Sequence, residues 1–241
     1  MEKRIFNTAS EVSEHVAELI LSLVKGKPDA TLGLATGRTM DAIYHHLVKK
    51  AVQDKVDFSR VKAFAVDEYV GLAVDSPNSF SAYLDLHLFN QLNFKRSNIF
   101  IPQTHDLENI DQLCSEYEQK IAECGGIDLQ LLGLGLNGHI GLNEPGSAID
   151  SRTRVVALTG QTRQSNRSLF RNEAFPLTAV TMGIGTILES KCCLLVVTGE
   201  TKAQIVQKLV NGDIHSKLPA TALKQHANIT MIMDNQASKL L

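Results

Sequence analysis

Short runs of hydrophobic residues alternate along the chain with longer stretches in which hydrophobic residues recur every three or four positions. The short runs are rich in β-branched or small residues and predict strands, whereas the longer spacing predicts amphipathic helices. The predicted strands are Thr31–Ala35, Val61–Val66, Leu129–Leu134, Val155–Leu158, Cys192–Thr198 and Ile229–Met233. Runs that are hydrophobic throughout and separated by helices are typical of parallel strands covered on both faces. The pattern therefore predicts an α/β fold with one open, mainly parallel sheet and helices on both faces.

Polar residues and glycine mark where several of the helices begin or end. Thr8 and Glu11 have the spacing of a capping box, in which each side chain accepts a hydrogen bond from the other residue's backbone N–H. One predicted helix follows Thr8, and the others cover residues 40–52, Glu108–Glu123 and Thr201–Val210, the last closed by Gly212. Because no repeat, low-complexity stretch or linker interrupts the alternation, residues 1–241 are predicted to form a single domain.

The composition narrows the class of protein. With 24 Lys and Arg against 26 Asp and Glu, the net charge is −2, and 44% of the residues are hydrophobic, which is typical of a globular protein. A pI near 6.4 gives no basic surface for nucleic acid. The longest uninterrupted hydrophobic run, Cys192–Val197, is far too short for a membrane span, and no signal peptide is apparent at the start of the chain. Since the cysteines have no zinc or CxxC spacing, we expect reduced thiols in a cytoplasmic protein with no nucleic-acid or membrane partner.

Unusual residues follow several of the predicted strands. In open parallel sheets, ligands bind beyond the carboxyl ends of the strands, where loops enter helices. The segments at these positions are Ala35–Thr39, Val66–Tyr69, Gly133–Pro145 and Thr198–Lys202. These are therefore the candidate functional segments.

The glycines of the third segment match the dinucleotide-binding pattern Gly-x-Gly-x-x-Gly at Gly133, Gly135 and Gly138. That pattern requires a helix beginning within it and an acidic residue about twenty positions later. Pro145 interrupts any helix here, and Val155–Leu158 contains no carboxylate. A nicotinamide cofactor is therefore not expected.

The same segment contains a histidine, two asparagines and a glutamate. A lone histidine in such a turn is usually structural, but His139 and Glu144 together form a possible acid–base pair on a loop that a ligand could approach closely. No second His or Cys lies at metal-ligand spacing, so no metal is expected.

Asp67 and Glu68 are adjacent acidic residues at the end of a predicted strand. Burying two carboxylates there costs free energy, so such a pair suggests a functional role. The alternative is that Glu68 simply pairs with a nearby Lys or Arg.

The first and last segments suggest a phosphate site. Ala35–Thr39 leads from a strand into a helix, where free N–H groups and two threonine hydroxyls could cradle a phosphate, although an ordinary threonine N-cap is the alternative. Lys202 occupies the same kind of strand-to-helix position and adds a positive charge. Two such loops indicate a phosphorylated ligand.

Taken together, these segments resemble the glucosamine-6-phosphate deaminase family over almost the whole chain. The segments that carry the resemblance are Leu34–Thr39, Phe64–Gly71, Asn78–Tyr83, Gly133–Pro145, Ser151–Arg154 and Thr198–Lys202. The resemblance implies a modified Rossmann-like fold and the conversion of glucosamine 6-phosphate and water to fructose 6-phosphate and ammonia, without a cofactor.

The resemblance also implies roles for individual residues. His139 would move the protons needed for ring opening, and Asp67 would carry a proton from C2 to C1. Asn137 and Glu144 would orient and polarise His139. Glu68 would be a supporting acid among the substrate-binding residues. The phosphate would be bound by Thr36, Gly37, Arg38, Thr39, Lys202 and Arg167, with Arg171 as a competitor for the last position.

This chain departs from the family pattern at positions that bear on the mechanism, the regulation and the oligomeric state. Many members have Asp where this chain has Asn137, and an amide cannot stabilise an imidazolium by charge, so Glu144 should bear more of that role. Val156 and Ala157 replace polar effector contacts of allosteric members, and the chain ends shortly after Met233, without the longer tail of hexameric members. The resemblance therefore indicates the short, non-allosteric branch and a monomer in preference to a hexamer.

Two other functions stay open at this point. A 6-phosphogluconolactonase shares the fold and the Gly-His loop, but Asn143–Pro145 and Asp67–Tyr69 fit the deaminase better. A sugar-phosphate-binding regulatory domain would follow a DNA-binding module, and the first predicted strand, near residue 31, leaves no room for one.

Overall fold

The computed structural model describes residues 1–73, 75–167, 170 and 174–241. Within these ranges, seven strands form a parallel sheet, the main sheet. In their spatial order across the sheet, the strands are β1 (Glu2–Phe6), β10 (Ile229–Asp234), β9 (Cys193–Val197), β6 (Leu129–Gly133), β2 (Thr31–Leu34), β3 (Lys62–Ala65) and β5 (Ile99–Phe100).

The helices flank the main sheet on both sides. They are α1 (Ala9–Gly26), α2 (Arg38–Gln53), α3 (Phe80–Leu84), α4 (Ile110–Glu123), α5 (Gly160–Asn166), α6 (Ile184–Leu188) and α7 (Ala203–Asn211). A π-helical turn, Asp85–Phe89, continues α3, and 3-10 turns cover Arg96–Asn98, Glu200–Lys202 and Pro219–Gln225. The prediction of an α/β fold with a mainly parallel sheet and helices on both faces is confirmed.

The capping box that the sequence predicts at the start of α1 is present. The Thr8 hydroxyl accepts a hydrogen bond from Glu11 N, and the Glu11 carboxylate accepts one from Thr8 N, both at 3.2 Å. The spacing of the hydrophobic residues then places Val12, Val16 and Ile20 in the core. Local capping and burial of one face together account for this helix.

A second, smaller sheet extends from the carboxyl end of the main sheet. Its strands are β4 (Asp67–Tyr69), β7 (Arg154–Ala157) and β8 (Thr178–Thr181), and they pair antiparallel in the order β4-β8-β7. The prediction that Val155–Leu158 is a parallel strand of the main sheet is therefore wrong. A hydrophobic run of four residues specifies a strand but not its partner or its direction, and β7 is only half-buried.

The first strand also differs from the expectation. The chain begins with β1, which pairs with β10 at the edge of the main sheet, so the expectation of a first strand near residue 31 is wrong. Glu2–Phe6 is largely exposed and carries charged residues, so it has no hydrophobic run to reveal it. Charged residues are common on edge strands because they discourage pairing with other chains.

The main core is formed by the central strands, in which every residue of β2, β9 and β10 is buried. A smaller hydrophobic cluster, containing Tyr69 and Phe170, lies against the antiparallel sheet. In the described parts of the chain, no helix has the length and hydrophobicity needed to cross a lipid bilayer. The antiparallel sheet carries Asp67 and Glu68, two of the candidate site residues, on β4.

Candidate active site

The four candidate segments meet at one edge of the main sheet. They follow β9, β6, β2 and β3, which are consecutive neighbours in the sheet. Because these strands are parallel, their carboxyl ends lie side by side. The expectation that these loops share one site is supported by the topology.

His139 lies on the loop after β6 and packs on the backbone of Gly135. Gly135 N donates a hydrogen bond to the carbonyl oxygen of His139 (3.0 Å). A Cβ atom at Gly135 would lie 2.4 Å from Cε1 and Nδ1 of the imidazole ring, so no larger residue fits beneath the ring. Gly138 has φ +82°, a conformation that favours glycine. Gly135 therefore leaves the space that the imidazole ring of His139 occupies. No helix begins within this described loop, as the sequence analysis predicts.

Glu144 is the centre of a hydrogen-bonded cluster. Its Oε2 accepts a hydrogen bond from Asn137 Nδ2 (2.6 Å) and lies 3.6 Å from His139 Nδ1, and its Oε1 accepts from the hydroxyl of Thr159 (3.1 Å). Burial alone would raise the pKa of Glu144, but polar contacts with His139, Thr162 and Asn137 lower it to about 2. Glu144 is therefore ionised at neutral pH and faces the buried Nδ1 of the imidazole, which leaves Nε2 for a ligand.

Asp67 is a buried carboxylate at the start of β4. Burial raises its pKa to about 8, and the neighbouring Glu68 carboxylate contributes to the increase. Among the described residues, none donates a hydrogen bond to the Asp67 side chain. A carboxylate with such a pKa accepts and returns a proton readily near neutral pH.

Glu68 is held differently from its neighbour. Its carboxylate accepts hydrogen bonds from the backbone N–H groups of Tyr69 (2.8 Å), Phe80 (3.0 Å) and Ser81 (2.8 Å). Burial raises the pKa of Glu68 in spite of these bonds. Glu68 forms no ion pair with a Lys or Arg among the described residues; it instead fixes the start of α3 to β4. This arrangement fits the supporting role expected of Glu68.

Hydrogen bonds to β8 connect the histidine loop to the strand that carries Asp67. Asp67 is opposite Thr181 in the antiparallel sheet, and the Thr181 hydroxyl accepts a hydrogen bond from Leu142 N (3.1 Å). The amide of buried Asn143 donates to the carbonyl oxygen of Met182 (2.8 Å). Sequence reasoning used Asn143 only as part of a family motif and did not assign it this structural role. The sequence feature that could have indicated this role is an asparagine next to a glutamate in a glycine-rich loop.

The loop after β2 presents the amino-terminal end of α2. Gly37 is the N-cap residue, with φ +103°, and no side chain caps the helix. The alternative of an ordinary threonine N-cap is therefore not observed. The first N–H groups of a helix have no partner within the helix, and Thr36 and Thr39 are half-buried beside them. This end of α2 has the donors that a phosphate requires.

Lys202 lies across from this helix end. Its Nζ donates a hydrogen bond to the carbonyl oxygen of Leu134 (2.6 Å), at the base of the histidine loop. Burial and the positive charge of Arg38 lower the pKa of Lys202 to about 8. The half-buried Lys202 ammonium and the exposed Arg38 guanidinium repel each other, and an anion bound between them would stabilise both charges.

Arg167 is less directly connected to these groups. It is exposed at the carboxyl end of α5, the helix whose N-cap is Thr159. Within the described ranges, the Arg167 guanidinium forms no ion pair. Arg171, the competing residue, lies outside the described residues. Sequence reasoning did not identify Thr159, which links α5 to Glu144.

Comparison with known proteins gives consistent results over nearly the whole chain. A family model described as glucosamine-6-phosphate isomerases/6-phosphogluconolactonase matches residues 6–232. A glucosamine-6-phosphate deaminase from Thermoanaerobacter pseudethanolicus is 40% identical over 232 residues, which is 96% of this chain and 91% of the relative. The solved structure of a monomeric glucosamine-6-phosphate deaminase has a TM-score of 0.97, 40% identity and complete coverage of both chains. A 6-phosphogluconolactonase from Trypanosoma brucei has a TM-score of 0.80 at 18% identity, with complete coverage of this chain and 98% of the other, which is a likeness of fold alone.

Proposed function

This chain belongs to the family of glucosamine-6-phosphate isomerases and 6-phosphogluconolactonases, and we propose that its site performs the deaminase reaction of that family in the way the geometry suggests. The reaction converts glucosamine 6-phosphate and water to fructose 6-phosphate and ammonia. The observation that carries the proposal is that two carboxyl groups with opposite pKa shifts, Glu144 (lowered) and Asp67 (raised), lie at the carboxyl end of the same sheet. The amino-terminal end of α2, with Arg38, follows the neighbouring strand.

Ring opening is the first step and belongs to His139. The ring oxygen of the pyranose must gain a proton while the O1 hydroxyl loses one, and an imidazole can do both. The ionised Glu144 beside Nδ1 stabilises the ring when it carries a positive charge, and Asn137 orients the carboxylate through its amide. Because Asn137 is neutral, the charge of Glu144 supplies this stabilisation.

Isomerisation is the second step and belongs to Asp67. The open-chain aldehyde at C1 makes the C2 proton acidic; Asp67 removes it as O1 gains a proton, which forms an enolamine. Asp67 then delivers a proton to C1 as the nitrogen gives one up, which leaves a hydroxyl at C1 and an imine at C2. Water adds to this imine, and ammonia leaves as the ketone of fructose 6-phosphate forms. The raised pKa of Asp67 matches a group that must alternate between acid and base within one turnover.

Binding of the phosphate group holds the sugar in place for both steps. We assign this role to Lys202, Arg38, the hydroxyls of Thr36 and Thr39, and the N–H groups after Gly37, with Arg167 contributing from α5. Interactions with a part of the substrate remote from C1 and C2 position the reacting carbons without taking part in the chemistry.

We propose that the protein acts as a monomer without allosteric activation. The arginines of Ser151–Arg154 already have partners within the chain: Arg152 pairs with Glu118, and Arg154 donates a hydrogen bond to Asn143 (2.9 Å). The likeness to a monomeric deaminase supports the same conclusion. Light scattering should give a mass near the 26.4 kDa of one chain; a multiple of that mass would contradict the proposal.

The function is tested by incubating the purified protein with glucosamine 6-phosphate and measuring ammonia and ketose phosphate together. Equal amounts of the two products are expected. A parallel incubation with 6-phosphogluconolactone measures lactone hydrolysis above the spontaneous rate. Hydrolysis of the lactone without ammonia from the amino sugar would assign the chain to the lactonase activity instead.

A further inference from the structure

A tyrosine ties the phosphate-binding loop to the helix next to it. The hydroxyl of Tyr83, on α3, lies within hydrogen-bonding distance of Asp41 Oδ1 and of the carbonyl oxygen of Gly37 (3.2 Å). A phenol has one proton to donate, and the shorter contact, with the charged carboxylate, is the stronger hydrogen bond. Tyr83 therefore bridges α3 to the loop and first turn of α2.

The other end of the same short helix is fixed to the strand that carries Asp67. Glu68 accepts hydrogen bonds from the N–H groups of Phe80 and Ser81, the first residues of α3. Within a few residues, α3 thus joins the base of the second step to the helix end that binds the phosphate. Its position sets the separation between these two parts of the site.

The Asp41 carboxylate brings a negative charge close to the proposed phosphate site. Asp41 lies in the first turn of α2, close to the N–H groups that would bind a phosphate. A carboxylate free to turn toward these groups would compete for them and repel a phosphate. Burial and Asp41 both raise the pKa of Tyr83, so the phenol remains a donor and keeps the carboxylate turned away.

We propose that Tyr83 and Asp41 are positioning residues for phosphate binding: Tyr83 restrains the Asp41 carboxylate and the Gly37 loop so that the end of α2 stays open to the substrate's phosphate. This inference rests on the proposed function for the identity of the substrate. Neither residue takes part in proton transfer, so the pair affects affinity and leaves the chemical steps to Asp67 and His139.

The test is the variant Tyr83→Phe, which keeps the ring and its packing on His87, at a centroid distance of 4.4 Å. Loss of a hydrogen bond to a charged group should raise the Kd for inorganic phosphate, measured by titration calorimetry, about five- to thirty-fold. The KM for glucosamine 6-phosphate should rise by a similar factor, whereas kcat should stay within about twofold. A purely structural defect would lower kcat as well.

A second substitution separates restraint of the charge from general damage. Asp41→Asn removes the charge that needs restraint, so Tyr83→Phe/Asp41→Asn should bind phosphate more tightly than Tyr83→Phe, and Asp41→Asn alone should bind at least as tightly as the parent. Tyr117→Phe is the matched control, because it removes a buried phenol bonded to the carbonyl oxygen of Ala65 (2.6 Å), away from the phosphate loop. Its Kd for phosphate should not change.

The inference is overturned if Tyr83→Phe binds phosphate within twofold of the parent, if kcat falls as far as KM rises, or if Asp41→Asn gives no recovery. Should Tyr83→Phe fail to fold, weaker phosphate binding by Asp41→Asn alone overturns it. Phosphate binding is measured without turnover, so a failure of this inference is distinct from a failure of the proposed reaction, which would appear as absence of ammonia from the parent protein.

Discussion

Lys202 should give the enzyme a pH-dependent affinity for its substrate. Its pKa in the free protein is lowered to about 8, by burial and by Arg38, and only the protonated ammonium binds a phosphate by charge. As pH rises through about 8, the free enzyme loses this charge, which lowers kcat/KM, whereas ionisation of Asp67, whose pKa is also about 8, raises it. The value of kcat/KM should therefore pass through a maximum near pH 8 and fall at more alkaline pH. A hydrogen bond to a charged group contributes about 1.5–3 kcal/mol, so the total fall should be about 10- to 150-fold. In the complex, the bound phosphate favours the charged lysine, and kcat should hold to higher pH.

Two substitutions at this position make opposite predictions. A guanidinium remains charged throughout the accessible range, so Lys202→Arg should abolish this alkaline fall in kcat/KM even if the altered geometry weakens binding. Lys202→Met lacks the charge at every pH, so at pH 7 its kcat/KM should already be lower by about 10- to 150-fold, again without this fall. A third variant, Arg38→Met, removes one cause of the lowered pKa and should move the fall to higher pH.

The assay is the initial rate of ammonia release between pH 6 and 10 at several concentrations of glucosamine 6-phosphate. Unphosphorylated glucosamine is the matched control substrate, since it has no group for Lys202 to bind. An alkaline fall that persists unchanged in Lys202→Met, or that is equally steep with glucosamine, would show that another group titrates and that Lys202 does not bind the phosphate.

Three further predictions concern the chemistry and its regulation. His139→Gln should retain phosphate binding but lower kcat for the cyclic sugar by about 10²- to 10⁴-fold, the usual contribution of general acid–base catalysis; full activity would remove His139 from the mechanism. Glu68→Gln removes the negative charge beside Asp67, whose pKa should fall, so the acid limb of kcat/KM should move to lower pH; an unmoved limb would contradict the coupling between the two carboxylates. Rate curves should be hyperbolic and unaffected by N-acetylglucosamine 6-phosphate, and sigmoidal curves that this compound makes hyperbolic would refute the non-allosteric assignment.

The sequence predicts the main sheet well because its central strands are buried on both faces. The runs that became β2, β6, β9 and β10 contain few polar residues, and a run of that kind has few alternatives to a buried strand. Edge strand β1 is exposed and charged, so its pairing comes from backbone hydrogen bonds that no side-chain pattern reveals.

The antiparallel sheet could not be predicted for a different reason. β4 has three residues, and its partner β8 lies more than a hundred positions later in the chain. A segment this short specifies neither a partner nor a direction. Asp67 was nevertheless a candidate from its neighbours alone, because two adjacent carboxylates after a hydrophobic strand are expensive to bury.

Within the site, the sequence identified the groups but not their connections. His139, Asn137 and Glu144 are close in the chain, and the structure brings them into contact. Tyr83 meets Asp41 only because the π-helical turn that continues α3 packs on α2 and brings together residues 42 positions apart.

The most direct test of the account is the conversion of glucosamine 6-phosphate by Asp67→Asn in deuterium oxide. The amide keeps the shape of the carboxylate but removes its basicity, so phosphate affinity should stay within a few-fold while ammonia release falls by about 10²- to 10⁴-fold. The parent should place deuterium at C1 of fructose 6-phosphate to the extent that Asp67 exchanges its proton with solvent, and the variant should form almost no labelled product. Near-normal ammonia release by Asp67→Asn would contradict the account and move the base to Glu68 or Glu144.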